Sequence, residues 1–533
     1  MGIDFPSDWP TEFLQAPVGL EKPSSFEEEQ EGENGKGAQT IVRRASEFQN
    51  FSARFYLKHR TYTQQYSQVY YIRLHTLRKD VMETAQAKWS DLPEKRFLPR
   101  ILEAHPNMEC VIIGTTYKNM TLKPSVFDSL AQKSKESVGA IPRKSFLSPD
   151  DYIALEDETS RVRLSSEGTE LQRKLLTGCV IAVRGALTDS GDFKVSDWTF
   201  AGAPIPLPLP KVTASTPPRP PFVAFVSGLR LGCPSLRMQP LVLLRDFLFG
   251  TCASPELSAD VVRLVICGNI LGEPSPVSQR TAAMVAEPPQ GAGKGPSAAD
   301  AFANEKEMLK EADAFISQLA SVIPVDLMPG EGDPSGFLLP QQPIHPSLFP
   351  TAAKNAALTG VTNPFHFEVG GVSFLGTSGQ PLSDGLAFSE AADECQCLET
   401  FAHARHLAPT APDTLPCYPF TIADPLAIPV GDTMMREKVS ASASTRAPTA
   451  TMRGGLGGAG DRDEEEDSPP APHVIFSGNS KEFSVKRAGE RTEENPGGLP
   501  LCVCVPEFAD NPTLVLVSLM EPLEVRTLSF GLQ

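Results

Sequence analysis

Five short loops carry the residues of this chain whose types and placing bear on chemistry. They read Ser227-Gly228-Leu229-Arg230-Leu231-Gly232, Gly268-Asn269-Ile270-Leu271-Gly272, Pro329-Gly330-Glu331-Gly332-Asp333, Ser378-Gly379-Gln380-Pro381-Leu382-Ser383-Asp384 and Gly478-Asn479-Ser480-Lys481. Each follows an apolar run and is punctuated by glycine. Loops of this kind can serve two-metal hydrolysis of phosphoesters, in which carboxylates and imidazoles hold two divalent cations about 3.5–4 Å apart. These five supply Glu331, Asp333 and Asp384 as carboxylates, Arg230 and Lys481 as cations, Asn269, Ser378 and Asn479 as neutral groups, and no histidine.

The loop set resembles that of calcineurin-like phosphoesterases. An active member carries Asp-x-His, Gly-Asp-x-x-Asp, Gly-Asn-His-Asp, His-Gly and Gly-His-x-His at these places. In this chain the corresponding positions are Gly228 and Arg230, Asn269 and Gly272, Glu331 and Gly332 with Asp333 beside them, Ser378, and then Asn479 and Lys481. The resemblance implies a kept frame with no catalytic residue, no cofactor and no metal, in which Arg230 and Lys481 point where metals would sit. A weak magnesium shared by Asp333 and Asp384 is the minor alternative.

Other motifs fail on context. Gly291-Ala292-Gly293-Lys294-Gly295 resembles a P-loop fragment, but its first glycine is replaced by Pro288 and no hydroxyl follows the lysine. Gly455-x-Gly457-x-x-Gly460 matches a dinucleotide fingerprint in letters, yet no strand precedes it. His345, His366, His406 and His473 lie near the five loops without falling on a ligand position, and are read as structural. The ten cysteines contain no Cys-x-x-Cys, so a zinc site is not expected. Cys502 and Cys504 lie two apart in an apolar run, on one face of a strand, and are read as buried thiols.

The elements that must position the loops follow from periodicity. The chain has 533 residues, 41% of them hydrophobic, enough for two or three cores. Residues 1–44 are read as a disordered acidic tail. From Arg54 to Trp89 the spacing predicts a helix with Tyr62, Tyr66, Val69, Tyr70, Leu74, Leu77 and Val81 on one stripe. Runs at Cys110–Thr116, Tyr152–Asp157, Arg161–Leu164, Cys179–Gly185 and Phe193–Trp198 predict a five-stranded barrel of the OB type, with a hairpin turn at Asp189–Asp192. Eight prolines in 202–221 mark a linker or covering strap. Beyond it, runs at Phe222–Val226, Val261–Cys267, Val322–Met328, Val372–Leu375, Val474–Phe476, Leu501–Val505 and Thr513–Leu519 alternate with helices at Leu241–Phe249 and Phe302–Leu319. These predict a layered α/β domain over 222–533 with sites at strand ends. Inserts at 287–298 and 431–470 are read as mobile excursions.

The net charge of −17 works against whole-surface phosphate-backbone binding. Single-stranded DNA binding on the barrel would rely on Tyr117, Lys118, Lys123, Trp198 and Phe200, too sparse a cluster for a stacking groove. No apolar leader and no 18-residue apolar stretch are expected, and free thiols suggest the cytosol or nucleus.

Several stretches together resemble the small (B, regulatory) subunits of replicative DNA polymerases, most closely those of polymerase delta. They are Pro324–Glu331, Asp333-Pro334, Leu339–Pro346, Val361–Pro364, Phe374–Gln380, His406–Leu415, Tyr418–Phe420, Pro472–Val474 and, in the first helix, Gln65–Leu74. The resemblance covers roughly 45–270 and 302–530. It implies an OB domain over 45–201 followed by an inactive phosphodiesterase-like domain. It further implies a nuclear scaffold in DNA replication and repair, held between the C-terminal region of the catalytic subunit and a third accessory subunit. Sharing with the polymerase zeta catalytic subunit is also implied, with DNA touched only indirectly or weakly and no membrane contact. An active metal-dependent phosphoesterase or nuclease, or an autonomous single-stranded DNA-binding OB protein, is the alternative.

Overall fold

The computed structural model describes residues 42–57, 62–123, 145–166, 170–209, 219–233, 236–252, 254–272, 298–431, 469–489, 498–521 and 523–531. All of the expected acidic tail but residues 42–44, the P-loop fragment, the Gly455 motif and most of both inserts lie outside these residues.

Alternation of apolar side chains builds the first domain. Strands β2 (Glu109–Asn119), β3 (Tyr152–Glu156), β4 (Arg161–Ser165), β5 (Val180–Leu187) and β6 (Phe193–Thr199) close in the order β2-β3-β4-β6-β5. Cys110 and Ile112 face the barrel core with Ile153, Leu155, Leu164, Ile181, Val183 and Phe193. Their neighbours Val111 and Ile113 face outward with Val180 and Ala182, and meet Leu74, Leu77, Val81 and Ala85 of helix α1 (Ser67–Lys88). A period of two on the strands therefore serves two cores at once. The hairpin at 188–192 turns through Gly191, at φ 88°, whose N–H donates to Thr188 O.

The helix is shorter than its stripe predicts. Ser52–Phe55 forms a single 3-10 turn and α1 begins only at Ser67. Tyr62 and Tyr66 are exposed. Their rings and hydroxyls pack on a loop instead of continuing a helix: Tyr62 meets Tyr418 edge-on at 5.5 Å, and Tyr66 donates to Cys417 O.

The second domain is two face-to-face sheets between helices. One sheet has the order β10-β9-β8-β7-β16-β17, from Leu358–Gly360, Val325–Met328, Val261–Cys267, Phe222–Val226, Thr513–Ser518 and Val525–Ser529. The other has the order β1-β11-β12-β13-β15-β14, from Phe48–Asn50, Phe365–Val369, Val372–Thr377, Val474–Ser480, Leu501–Pro506 and Ser484–Arg487. Phe225, Phe367, Phe374 and Phe476 meet between them, with Val265, Val503 and Val517. Outside the first sheet, Leu264, Ile266 and Leu516 are covered by Leu241 and Leu244 of a helix at Met238–Leu248 and by Phe315, Ile316 and Leu319 of a helix at Ala298–Ala320. Outside the second, Leu375, Ile475, Cys502 and Cys504 lie under helices at Gln380–Phe388 and Glu394–Ala404, in one core with the barrel interior. Strands buried on both faces read as continuous apolar runs, which is why β8 and β15 were legible. One start is corrected: the strand expected from Val322 begins at Val325, because Val322 and Ile323 close the preceding helix through bonds to Leu319 O.

Arg73 of α1 locks the domains together. It is fully buried and donates to Gly178 O of the barrel, to Pro409 O and Ala411 O of the second domain, and to Asp424. Arg405 adds a bond to Asp80 of α1 and another to Gly202 O. Of the proline-rich segment, residues 202–209 run as a strap, pinned where His473 Nε2 meets Leu207 O and where Leu209 enters the inter-sheet core. Among the described residues no helix is long and apolar enough to cross a membrane.

Candidate functional site

All five loops leave the C-terminal ends of strands: β7, β8 and β9 of one sheet, β12 and β13 of the other. Strands β7, β8 and β9 run parallel, as do β12 and β13, so the loops emerge at one edge of the sandwich. The edge is crowded. A Cβ on Gly330 would stand 2.3 Å from Asn269 N, one on Gly478 2.5 Å from Cys267 O, and one on Gly268 2.6 Å from Ser378 Cβ. Arg230, Asn269 and Asn479 adopt left-handed backbone, at φ 47°, 52° and 52°. This conformation is costly for a residue with a side chain and persists only where its surroundings fix it.

The loops fix one another by hydrogen bonds. Gly228 N donates to Gly268 O, Arg230 N to Asn269 O and Leu231 N to Ile270 O. The Asn479 side chain donates to Cys267 O and Ser378 O, and its backbone N–H donates to Ser227 Oγ. Gly332 N donates to Asn269 Oδ1 at 3.1 Å. The fourth loop joins a buried network of neutral groups. Asn363 Nδ2 donates to Gln341 Oε1, Ser378 Oγ and Gln380 Oε1, Ser378 N donates to Asn363 Oδ1, and Gln380 Nε2 donates to Gln341 Oε1. Amides and a hydroxyl hold donors and acceptors in one set, so they satisfy each other without a cation.

A cleft of about 600 Å³ opens beside this cluster, lined by Arg230, Asn269, Gly272, Glu331, Gly332 and Asp333 among others. Gly228, Ser378, Asn479 and Lys481 are not part of its lining; the structure brings six of the ten positions to the cleft and four behind or beyond it. Arg230 reaches Glu507 at 2.5 Å and Asp510 at 3.8 Å. Its charge is thus met by carboxylates from the end of β15. Lys481 departs from expectation: it is exposed, outside the lining, and its backbone N–H donates to the Glu394 carboxylate.

Asp333 and Asp384 do not share a site. Asp333 is buried and caps two loops, accepting from Ile270 N, Leu271 N and Gly330 N. Burial pushes its carboxyl up to about 6 against the pull of those N–H groups. Asp384 accepts from Thr414 Oγ1 at 2.6 Å in a separate cluster with Thr410, Asp413 and Lys123. Both carboxylates are thereby committed to the fold, and the shared magnesium is corrected on that ground.

The histidines are structural. His366 meets Ser373 Oγ, His406 meets Asp424, and His473 accepts from Ser373 N while its other nitrogen meets Leu207 O. Burial lowers all three, His473 to about 4. His345 caps a short turn through Ser347. On the barrel, the cations that single-stranded DNA would need are occupied: Lys118 Nζ donates to Phe388 O and Lys123 Nζ to Asp413. Tyr117 lies under the Arg161 guanidinium and Trp198 packs edge-on to Phe200.

Sequence reading gave no role to Gln341, Asn363 and Gln380, although all three stand in the stretches quoted above, and it missed Glu507. The first three lie among turn-forming prolines, and nothing in their spacing announces that three separate segments converge. Glu507 follows a buried strand and carries no pattern of its own.

Residues 65–198 match the family model described as the DNA polymerase delta subunit OB-fold domain, and residues 223–435 match that of the B-type subunit of DNA polymerase alpha/epsilon. The chain is 31% identical over 504 residues to the DNA polymerase delta small subunit of Oryza sativa subsp. japonica, covering 92% of this chain and 99% of that protein. It is 32% identical over 496 residues to the DNA polymerase delta small subunit of Arabidopsis thaliana, covering 92% and 97%. Against DNA polymerase delta subunit 2 of Drosophila melanogaster it is 30% identical over 491 residues, covering 91% and 98%.

Proposed function

We propose a scaffold role for this chain, which belongs to the DNA polymerase delta small-subunit family and is an accessory subunit of that polymerase in DNA replication. We read the two-sheet body over 222–533 as a calcineurin-like phosphodiesterase sandwich without its metal site, and 45–201 as helix plus OB domain joined through 202–221. One observation carries this reading: the space at the strand ends is organised by the Gln341–Asn363–Ser378–Gln380 network and the Arg230–Glu507 pair. Two metals need anionic or imidazole donors free to bind them. Of the carboxylates that line the cleft, Asp333 is engaged by three backbone N–H groups and Glu507 by Arg230.

The partners follow from the same body. A barrel and a sandwich locked by Arg73 present two rigid faces, each able to bury the roughly 1,200–2,000 Å² that stable complexes need. We assign the barrel side with its neighbouring loops to the C-terminal region of the catalytic subunit, and the rest to a third accessory subunit. The polymerase zeta catalytic subunit is a further candidate partner, and the nucleus the place of action. Co-expression tests the assignment: this chain should co-purify with the C-terminal region of the polymerase delta catalytic subunit through gel filtration, and separate elution would overturn it. Hydrolysis of a model phosphodiester with manganese should equal the buffer blank. Turnover that Glu331→Gln removes would restore the enzyme reading.

A further inference from the structure

The cleft beside the five loops has an apolar floor. Met308 and Leu309 of the helix at Ala298–Ala320 line it, partly buried against the core of the first sheet. Leu271 of the second loop and Pro334, just past the third, line it too. Gly232 lets the helix stand this close: a Cβ there would meet Met308 Cγ at 2.4 Å. Around the floor lie four carboxylates, those of Glu305, Glu331, Asp333 and Glu507. Asp333 is held by backbone N–H groups and Glu507 by Arg230. The carboxylates of Glu305 and Glu331 have no hydrogen-bonding or ion-pair partner among the described residues. We propose that this cleft docks a basic peptide segment of a partner protein, in which arginine or lysine flanks a leucine-sized apolar side chain.

Charge and shape select that occupant. A space of about 600 Å³ takes a few side chains, and the floor gains by being covered with an apolar one. Glu305 lies one turn before Met308 and Leu309, on the same helix face. A cation beside the seated apolar side chain therefore has a carboxylate at hand, and Glu331 offers a second from the third loop. Arg230 does not oppose it, since Glu507 and Asp510 offset its charge. Nucleic acid is disfavoured, because its phosphates would meet the same carboxylates on a chain of net charge −17. A divalent cation fits less well: among the described residues no three His, Cys, Asp or Glu side chains are grouped to hold one. Exposed ion pairs are weak, so the apolar contact supplies most of the affinity and the carboxylates supply the choice of partner.

The inference rests on the reading of this cleft as one that no longer serves a metal pair. It gives the space a use within the scaffold role: a narrow socket for one segment, beside the broad faces that bind whole domains.

The test uses the full chain in EDTA and the fluorescein-labelled peptide Ala-Arg-Leu-Lys-Leu-Arg-Ala, followed by fluorescence anisotropy. Binding should saturate, and Glu305→Lys with Glu331→Lys should weaken it about tenfold. Glu94→Lys with Glu103→Lys, an equal change of charge on exposed residues of the barrel side, should leave it unchanged. Asparagine in place of both leucines of the peptide should abolish binding. Urea unfolding should show both double variants as stable as the unaltered chain. No saturable binding, or equal weakening by the two double variants, would overturn the proposal. So would displacement of the peptide by a single-stranded oligonucleotide. Binding that appears only when residues 273–297 are replaced by a short Gly-Ser linker would give the cleft to this chain itself, and would overturn the proposal as well. Because EDTA removes any metal, failure here leaves the scaffold reading standing, whereas manganese-dependent turnover would end that reading by a separate assay.

Discussion

Arg73 and Arg230 stand in two polar clusters that differ in what closes around them. Arg73 is sealed: its side chain is 1% exposed, as is that of Asp424, and its remaining N–H groups end on carbonyls of two domains. Arg230 is 33% exposed at the rim of an open cleft, with Glu507 beside it and Asp510 further out. A sealed charge must have every donor met, because an unmet one is costly. A rim charge is partly met by water, and its pairing is worth little. The junction therefore specifies how barrel and sandwich dock. The cleft keeps its shape mainly through the neutral network behind it.

The largest expected effect tests the junction. Arg73→Met leaves Asp424 buried without its guanidinium and frees three carbonyls, and should cost about 3–5 kcal/mol, read by urea unfolding. A loss near zero would end the distinction drawn above. Next comes the network behind the cleft. Asn363→Ala orphans the Ser378 N–H and takes one donor each from Gln341 Oε1, Gln380 Oε1 and Ser378 Oγ, and should cost about 1–3 kcal/mol by the same measurement. Arg230→Ala should be milder, within about 1 kcal/mol, with co-purification of the catalytic-subunit region unchanged; a loss as large as that of Asn363→Ala would show that the ion pair, not the amides, holds the cleft.

Acidification separates the two clusters by sign. His406 sits in the junction with its value lowered by burial. It favours the fold when neutral, so its contribution is complete above about 6.5 and is lost as pH falls below that. Asp333 beside the cleft is raised to about 6. Its folded form takes up a proton before the unfolded chain does, so its contribution grows as pH falls from about 6 towards the ordinary aspartate value. Subtracting the unfolding free energy of Asp333→Asn from that of the unaltered chain, at each pH from 7 to 5, cancels the histidines. The difference should move in favour of the unaltered chain on acidification, the smallest effect of the four. A flat difference would refute the raised carboxyl.

Much of the frame was legible because burial leaves a trace in composition. Val261–Cys267 is buried almost throughout and reads as a strand from its letters. The face formed by Ala312, Phe315, Ile316 and Leu319 reads as a helix for the same reason. Short edge strands leave no such trace. Phe48–Asn50 is a strand only because Val369, Glu368 and Phe367 lie opposite it. Ser484–Arg487 is half exposed and takes its extension from β15. Phe365–Val369 was missed because His366 and Glu368 break its apolar run, although His366 is buried against Ser373. The helix at Glu394–Ala404 did carry a signal, since Asp393 caps it through Gln396 N.

The sequence by itself determined which side chains the five loops lack: a glycine cannot coordinate and an asparagine carries no charge, whatever surrounds it. It also set the spacing that ends five strands in glycine-rich turns. Only the tertiary structure decided what took the ligands' place. Asn363, Gln341 and Gln380 become one network, Asp333 a loop cap rather than a ligand, and Lys481 an outward residue, because these roles depend on which strand ends adjoin. Adjacency across a sandwich is fixed by packing of both sheets at once, and no stretch of one strand encodes it.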